Sequence, residues 1–212
     1  MLEQRPLSIK EIKFLNKDLR DIFKKRSYQL KVFAAWNAIA LLVGTFFYFK
    51  LKSDQEHYLL FGVVLIYILI GFWAFGEEYI RLNKRQKSIS FALSQGTVNY
   101  IRVTTDSHVE LAEYEDEGAH YLFQLDNDRI LSVGGQDFYP SSKFPNTDFE
   151  IVVCYGINNE TLFLEIYNYG KKLPPTIKIS GKEKWDLIGR PNYPDPEKFT
   201  VISGRIEDYK NI

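Results

Sequence analysis

At 212 residues the chain has room for one ordinary domain and an appendage. Lys+Arg and Asp+Glu balance at 27 each and Cys154 is the single cysteine, which excludes an intrachain disulfide framework and the usual build of a small secreted domain. The charge balance is only global: residues 1–31 hold nine Lys/Arg against four acids, residues 81–87 four bases and no acid, and residues 97–212 twelve bases against 19 acids. So acidic a C-terminal part excludes nucleic acid as a partner, because attraction to the phosphate backbone dominates that kind of binding.

In chain order, residues 1–31 predict a basic amphipathic helix. Ser8 and Glu11 have the spacing of a capping box, in which each side chain satisfies the other's free backbone donor. Ile12, Leu15, Leu19 and Ile22 follow at helical spacing, with Lys10, Lys13, Lys17, Lys24 and Lys25 over much of the rest. Such a helix either lies in the headgroup layer with its bases on anionic lipid, or packs on the soluble part or a neighbouring subunit. Some thirty polar residues before the first apolar block, and no small-residue cleavage site near that block's end, argue against a cleaved signal peptide.

Residues 32–49 and 58–76 are uncharged runs of 18 and 19 residues. At 1.5 Å per residue the first covers about 27 Å, close to the hydrocarbon thickness of a bilayer, and neither keeps the polar face of a soluble core helix. Only residues 50–57 separate them, so a two-helix transmembrane hairpin over 32–76 is predicted, its spans antiparallel neighbours. The bases flank the outer ends of the pair, whereas the loop holds only Lys50 and Lys52. The positive-inside rule then puts both termini in the cytoplasm and the protein in the inner (plasma) membrane as a multi-pass protein. Trp36 and Trp73 fall near the expected inner interface and Tyr48 and Tyr58 near the outer one.

Residues 77–96 continue the second span as a cytosolic helical extension ending at the helix-stopping Gly96. Lys24, Lys25, Arg26, Arg81, Lys84 and Arg85 form a basic collar expected to face anionic lipid headgroups. From residue 97 the periodicity changes to two. Eight short stretches rich in β-branched and aromatic residues, punctuated by turn signals, predict a cytosolic antiparallel β-barrel or β-sandwich over 97–212. The fold class expected is thus α+β, with the helical hairpin ahead of the β domain.

The longest irregular piece is residues 134–148. Within it Gln136, Phe138, Tyr139, Lys143 and Phe144 are a candidate binding loop, its aromatics placed to line an apolar pocket at a barrel mouth. Glu113, Glu115, Asp116 and Glu117 make an acidic run, and Asp126–Asp128 has the beginning of a calcium loop without its Gly and distal Glu. His108, His120 and Cys154 stand on separate predicted strands without the close ligand pairs of a zinc site. No residue is assigned as catalytic, cofactor-binding or metal-binding. An enzyme acting at the membrane surface would have to draw on Glu115 and Asp116 with a residue of the 134–148 loop.

Residues 109–152, with EDEG, FQL, GQDFYPS and FPNTDFEI as fixed wording, resemble a segment of uncharacterised bacterial two-span membrane proteins. That resemblance implies a bacterial protein with a two-span anchor, and no activity. The layout of a two-span hairpin before a small β domain is similar, in architecture only, to membrane effectors of nucleotide-signalled antiphage defence. The function expected is a membrane-anchored cytosolic β domain that binds a protein or small ligand, or scaffolds, at the inner membrane, with homo-oligomerisation open and no cofactor. The alternative is a ligand-gated effector that disrupts the membrane.

Overall fold

The computed structural model describes residues 2–114, 116–188 and 199–209. Two compact units are present: a helical one formed by Pro6–Thr97 with Tyr155–Glu160, and a β unit formed by the chain up to Arg5, Val98–Cys154 and residues from Thr161 onward. The β unit therefore includes the start of the chain as well as the part beyond residue 97.

Two helices, α1 (Ile9–Tyr48) and α2 (Asp54–Gln95), make up the helical unit. Ser8 caps α1 through the predicted box, its backbone N–H donating to Glu11 Oε2 at 2.6 Å and Glu11 N–H donating to Ser8 Oγ at 3.3 Å. Ser53 and Glu56 form a second box that starts α2, and Gly96, left-handed at φ 68°, ends it. Between Leu30 and Phe33 nothing breaks the helix, so the predicted N-terminal segment and first span are one element of 40 residues. At 1.5 Å per residue that is about 60 Å, twice the hydrocarbon thickness of a bilayer. Each helix accordingly has a charged half and an apolar half.

In the charged half, Leu15 and Ile22 of α1 and Leu82, Ile89 and Ala92 of α2 are all at most 5% exposed. Of the predicted amphipathic face, Leu15 and Ile22 are thus covered, Leu19 is half-buried and Ile12 is exposed. The apolar halves are the reverse: only 6% of each most apolar 18-residue window is buried. A core helix of a soluble protein buries such a window, and a soluble monomer rarely leaves so large an apolar surface to water. Both helices are long and apolar enough to cross a membrane.

Aromatic rings fill the seam between the apolar halves. Phe33 stacks on Phe75 with centroids 4.6 Å apart and meets Phe72 edge-on at 4.8 Å. Trp36, expected at the interface, lies in this seam: its indole stacks on Tyr67 at 4.1 Å and its Nε1–H donates to the Tyr67 carbonyl at 3.1 Å. The ring fits because residue 71 is glycine, where a Cβ would come within 2.6 Å of Trp36 Cδ1. Gly71→Leu is expected to cost about 1–3 kcal/mol through overpacking, read as a lower melting temperature in detergent. An unchanged melting temperature rejects the close approach.

Among the described residues, nine strands form the β unit's two sheets. One has the order β1 (Glu3–Pro6), β2 (Thr97–Thr104), β6 (Asp148–Tyr155), β7 (Thr161–Asn168). The other has the order β8 (Ile177–Ile179), β3 (His108–Leu111), β4 (Ala119–Asp126), β5 (Arg129–Gly135), β9 (Thr200–Ser203). The sheets do not close, so of the two predicted architectures the sandwich is found and the barrel is not. A purely antiparallel layout is corrected too, because β3 pairs parallel to β8, Val109 opposite Ile177.

Alternation sorts the side chains. Tyr121 and Phe123 of β4 and Leu131 and Val133 of β5 face Val103 of β2 and Phe149 and Ile151 of β6, forming the core between the sheets. Leu122 and Ile130 point the other way and are covered by Leu187 of α3 (Gly181–Ile188) and Ile206 of a 3-10 turn. Helix α3 also sinks Lys184, fully buried, with Nζ 2.6 Å from Glu117 Oε1. The five-stranded sheet is therefore covered on both faces, as a two-layer packing requires of apolar strands.

Candidate functional site

A concavity of the β unit lies at one end of the sandwich, with a volume of about 630 Å³. Four segments converge there: Thr104–Ser107 after β2, Gln124–Asn127 at the β4–β5 turn, Thr147 and Asp148 entering β6, and Arg205 with Glu207 after β9. Backbone pairing fixes their approach, Thr105 N–H donating to the Thr147 carbonyl at 2.9 Å and Gln124 N–H to that of Ser107 at 3.3 Å. The Gln124 carboxamide ties the turn to the last segment, donating to the carbonyls of Asp126 and Arg129 and accepting from Ile206 N–H at 2.8 Å.

The wall is polar and carries four carboxylates, those of Asp106, Asp126, Asp148 and Glu207, against one guanidinium, that of Arg205. Several are already engaged. Asp148 takes both arms of Arg102 at 2.7 and 2.8 Å, and Asp126 accepts from Arg129 Nε at 2.6 Å and from Asp128 N–H at 3.2 Å. Arg129 holds the Asp126 carboxyl below its usual range, helped by that backbone donor. A carboxylate kept ionised is a poor proton donor at neutral pH, so this cleft suits hydroxyl, amide or cationic groups of a partner better than acid–base chemistry. Asp126–Asp128, noted as a partial calcium loop, is thus a turn closed by an ion pair, and no cluster of three His, Cys, Asp or Glu placed to hold a metal occurs among the described residues.

Other predicted positions are dispersed. Phe138 and Phe144, expected to line a pocket mouth, are 3% and 2% exposed and belong to the core between the sheets, because burial outweighs any gain from facing a loop. Tyr139 is exposed and donates to Glu113 Oε1 at 2.6 Å, Gln136 Nε2 donates to the Asp116 carbonyl at 3.1 Å, and Lys143 is exposed. Buried Asn146 laces this loop down by accepting from Asp148 and Gly170 N–H and donating to the Lys143 carbonyl. The Lys172 ammonium reaches the carbonyls of Ser141 and Phe144. Glu115 lies outside the described residues, and Asp116 sits in a turn at φ 61°.

His108 and His120 face opposite sides of β3–β4–β5. His120 meets Ser132 Oγ at 2.6 Å on the α3 side, fully buried, whereas His108 lies between the sheets against Tyr121 and Phe123. Cys154 is buried on the other sheet. The structure does not bring the three together.

In the helical unit the collar residues surround a second groove, of about 520 Å³, with Lys25, Arg81, Lys84 and Arg85 in its wall beside Asp18 and Glu160. Arg85 bridges the two acids at 3.1 and 3.3 Å, and Ser88 Oγ donates to Glu160 at 2.6 Å. Arg81 grips Glu78 with two bonds of 2.7 Å. Arg26 points elsewhere, donating to Asn83 Oδ1 at 3.0 Å and lying over the Tyr79 ring, and the Lys24 side chain is 81% exposed beside Asp21. Helical spacing alone locates the collar; the participation of Asp18 and Glu160 has no signal in it. Comparison with protein families, curated proteins and solved structures finds no match.

Proposed function

We propose that the protein is a binding module anchored in the bacterial inner membrane, both termini in the cytoplasm, whose β-sandwich presents the carboxylate-lined cleft to a partner carrying cationic or hydroxyl groups. One observation carries the anchoring. In their charged halves the helices bury a seam of Leu15, Ile22, Leu82, Ile89 and Ala92, whereas only 6% of each apolar window is buried, which suits a pair half in water and half in lipid. The excess of bases beside the charged halves supports the orientation. The cleft supports the binding role, being open, polar and built from four loops on a rigid scaffold, where recognition residues commonly sit.

The test uses the full chain in cells. A photo-crosslinking residue at Asn127 is expected to trap a discrete partner that Asp106→Lys abolishes, and a reporter fused to Ile212 is expected to be active only in the cytoplasm. Recovery of the chain in the soluble fraction without detergent, or an exported reporter, overturns the anchoring. Absence of any Asn127 adduct overturns the binding role of the cleft.

A further inference from the structure

The collar groove continues toward the membrane. A second groove of about 380 Å³ runs along the same helix pair, walled by Val32, Phe33, Trp36, Gly71, Ala74 and Phe75, with Gln29 and Glu78 at its rim. The two abut, because Lys25 and Gln29 are one turn apart on α1, while Arg81 and Glu78 are one turn apart on α2 and bonded to each other. They also open on one side of the seam. Asp18, Lys25 and Val32 succeed one another every two turns of α1, opposite Arg85, Arg81 and Ala74 on α2, while Arg26 marks the other flank through Asn83 and Tyr79. The result is a single furrow, cationic toward the start of α1 and the end of α2 and apolar toward the hairpin loop.

We infer that this furrow is a binding site for one anionic phospholipid, its phosphate among Lys25, Arg81 and Lys84 and one acyl chain laid against Val32, Trp36 and Ala74. The inference rests on the membrane reading above and goes beyond a general basic collar, because it assigns an apolar slot as well as a headgroup cradle. Charge complementarity selects the occupant. The furrow holds four cations against three carboxylates: Arg85 is spent on Asp18 and Glu160 and Arg81 on Glu78, and among the described residues Lys84 makes no ion pair. A zwitterionic headgroup would bring its own ammonium among these cations, whereas a phosphate with net negative charge offsets the excess of cations over carboxylates. The apolar slot begins where the charges stop, at the depth where a lipid's glycerol gives way to its chains, so both parts of one molecule are met in order along the furrow.

Trp36 in the slot serves as the reporter. In the full chain carrying Trp73→Phe and Trp185→Phe, reconstituted in phosphatidylcholine bilayers, dibrominated phosphatidic acid at a few mole per cent is expected to quench Trp36. Brominated phosphatidylcholine at the same fraction is expected to quench it at least tenfold less. Lys25→Gln with Lys84→Gln should erase that preference, and Ala74→Trp in place of the reporter should lower the number of phosphatidic acid molecules retained in native mass spectrometry from one to none. Equal quenching by the two brominated lipids, or a preference that survives the double lysine substitution, overturns the site while leaving the protein membrane-bound. Failure to reconstitute at all overturns the membrane reading instead.

Discussion

Between pH 7 and pH 4 the protein is expected to lose about 3 kcal/mol more stability than its His108→Leu variant, since each tenfold change in proton affinity is worth about 1.4 kcal/mol. His108 is fully buried between the sheets and neither ring nitrogen has a hydrogen-bond partner among the described residues. Burial lowers its pKa to about 4, and the nearby Lys172 adds to this, while Glu110 opposes it without overcoming the desolvation. Tyr121, whose ring is 5.8 Å away and whose buried hydroxyl is also unpartnered, is pushed up and stays neutral. The unfolded chain therefore binds a proton near pH 6.5 that the folded protein refuses until about pH 4. Where the unfolded state holds more protons, stability rises with pH, so this contribution is complete above about pH 6.5 and is lost as pH falls toward 4. Leucine keeps the apolar contact with Phe123 and leaves no orphaned nitrogen, so the variant is expected to be at least as stable at pH 7. Denaturant midpoints in detergent across that pH range are the measurement, and parallel curves for the two proteins reject the assignment.

Gly118→Ala should cost about 2–5 kcal/mol. Gly118 has φ 85°, a conformation that costs an L-residue about 1–2 kcal/mol. An added Cβ would also sit 2.3 Å from the Gly135 carbonyl carbon and 2.5 Å from Gln136 nitrogen. These are backbone atoms at the end of β5, pinned by the pairing of Ala119 with Gly135, so no side chain can swing aside. Overpacking of that kind adds about 1–3 kcal/mol. The turn is further fixed by Gly118 N–H donating to Glu113 Oε1 at 3.1 Å, the same oxygen that receives Tyr139. Gly135→Ala makes a sharp control, because nothing lies within 4 Å of its added Cβ and only the φ of 111° is penalised. A Gly118→Ala protein that melts with the Gly135→Ala control removes the steric part of the account.

Local signals are readable wherever a rule acts over a few residues. Ser8 with Glu11, Gly96, and strands β4 and β5 lie where alternation and capping place them, because side-chain period and orphan backbone groups depend on immediate neighbours. The same capping signal recurs at Ser53 with Glu56, which open α2, and at Ser180 with Glu183, whose hydroxyl and carboxylate open α3 in the same way. Other features have no local trace. Glu-Gln-Arg-Pro becomes a strand only because β2 lies alongside it, and the parallel pairing of Val109 with Ile177 depends on how a distant segment returns. The cleft is opaque for the same reason, since its four segments are joined by fold and not by spacing. Phe138 and Phe144 mislead in the opposite direction, because aromatics in a loop suggest pocket lining when the core needs their bulk.

Strand β1 bears on how the protein can be made and cut. It is translated before either helix, yet its place is at the flank of β2, so the sheet cannot be finished until the whole hairpin has left the ribosome and β2 has followed. An expression fragment starting at Thr97 would leave the β1-side edge of β2 open to pairing with other molecules and would strip Arg5 from the Glu150 carboxylate, 2.6 Å away and only 5% exposed as a residue. A protease cutting between Leu51 and Ser53 would, by contrast, sever the backbone without separating the pieces, because each half of the molecule keeps a strand in the same sheet.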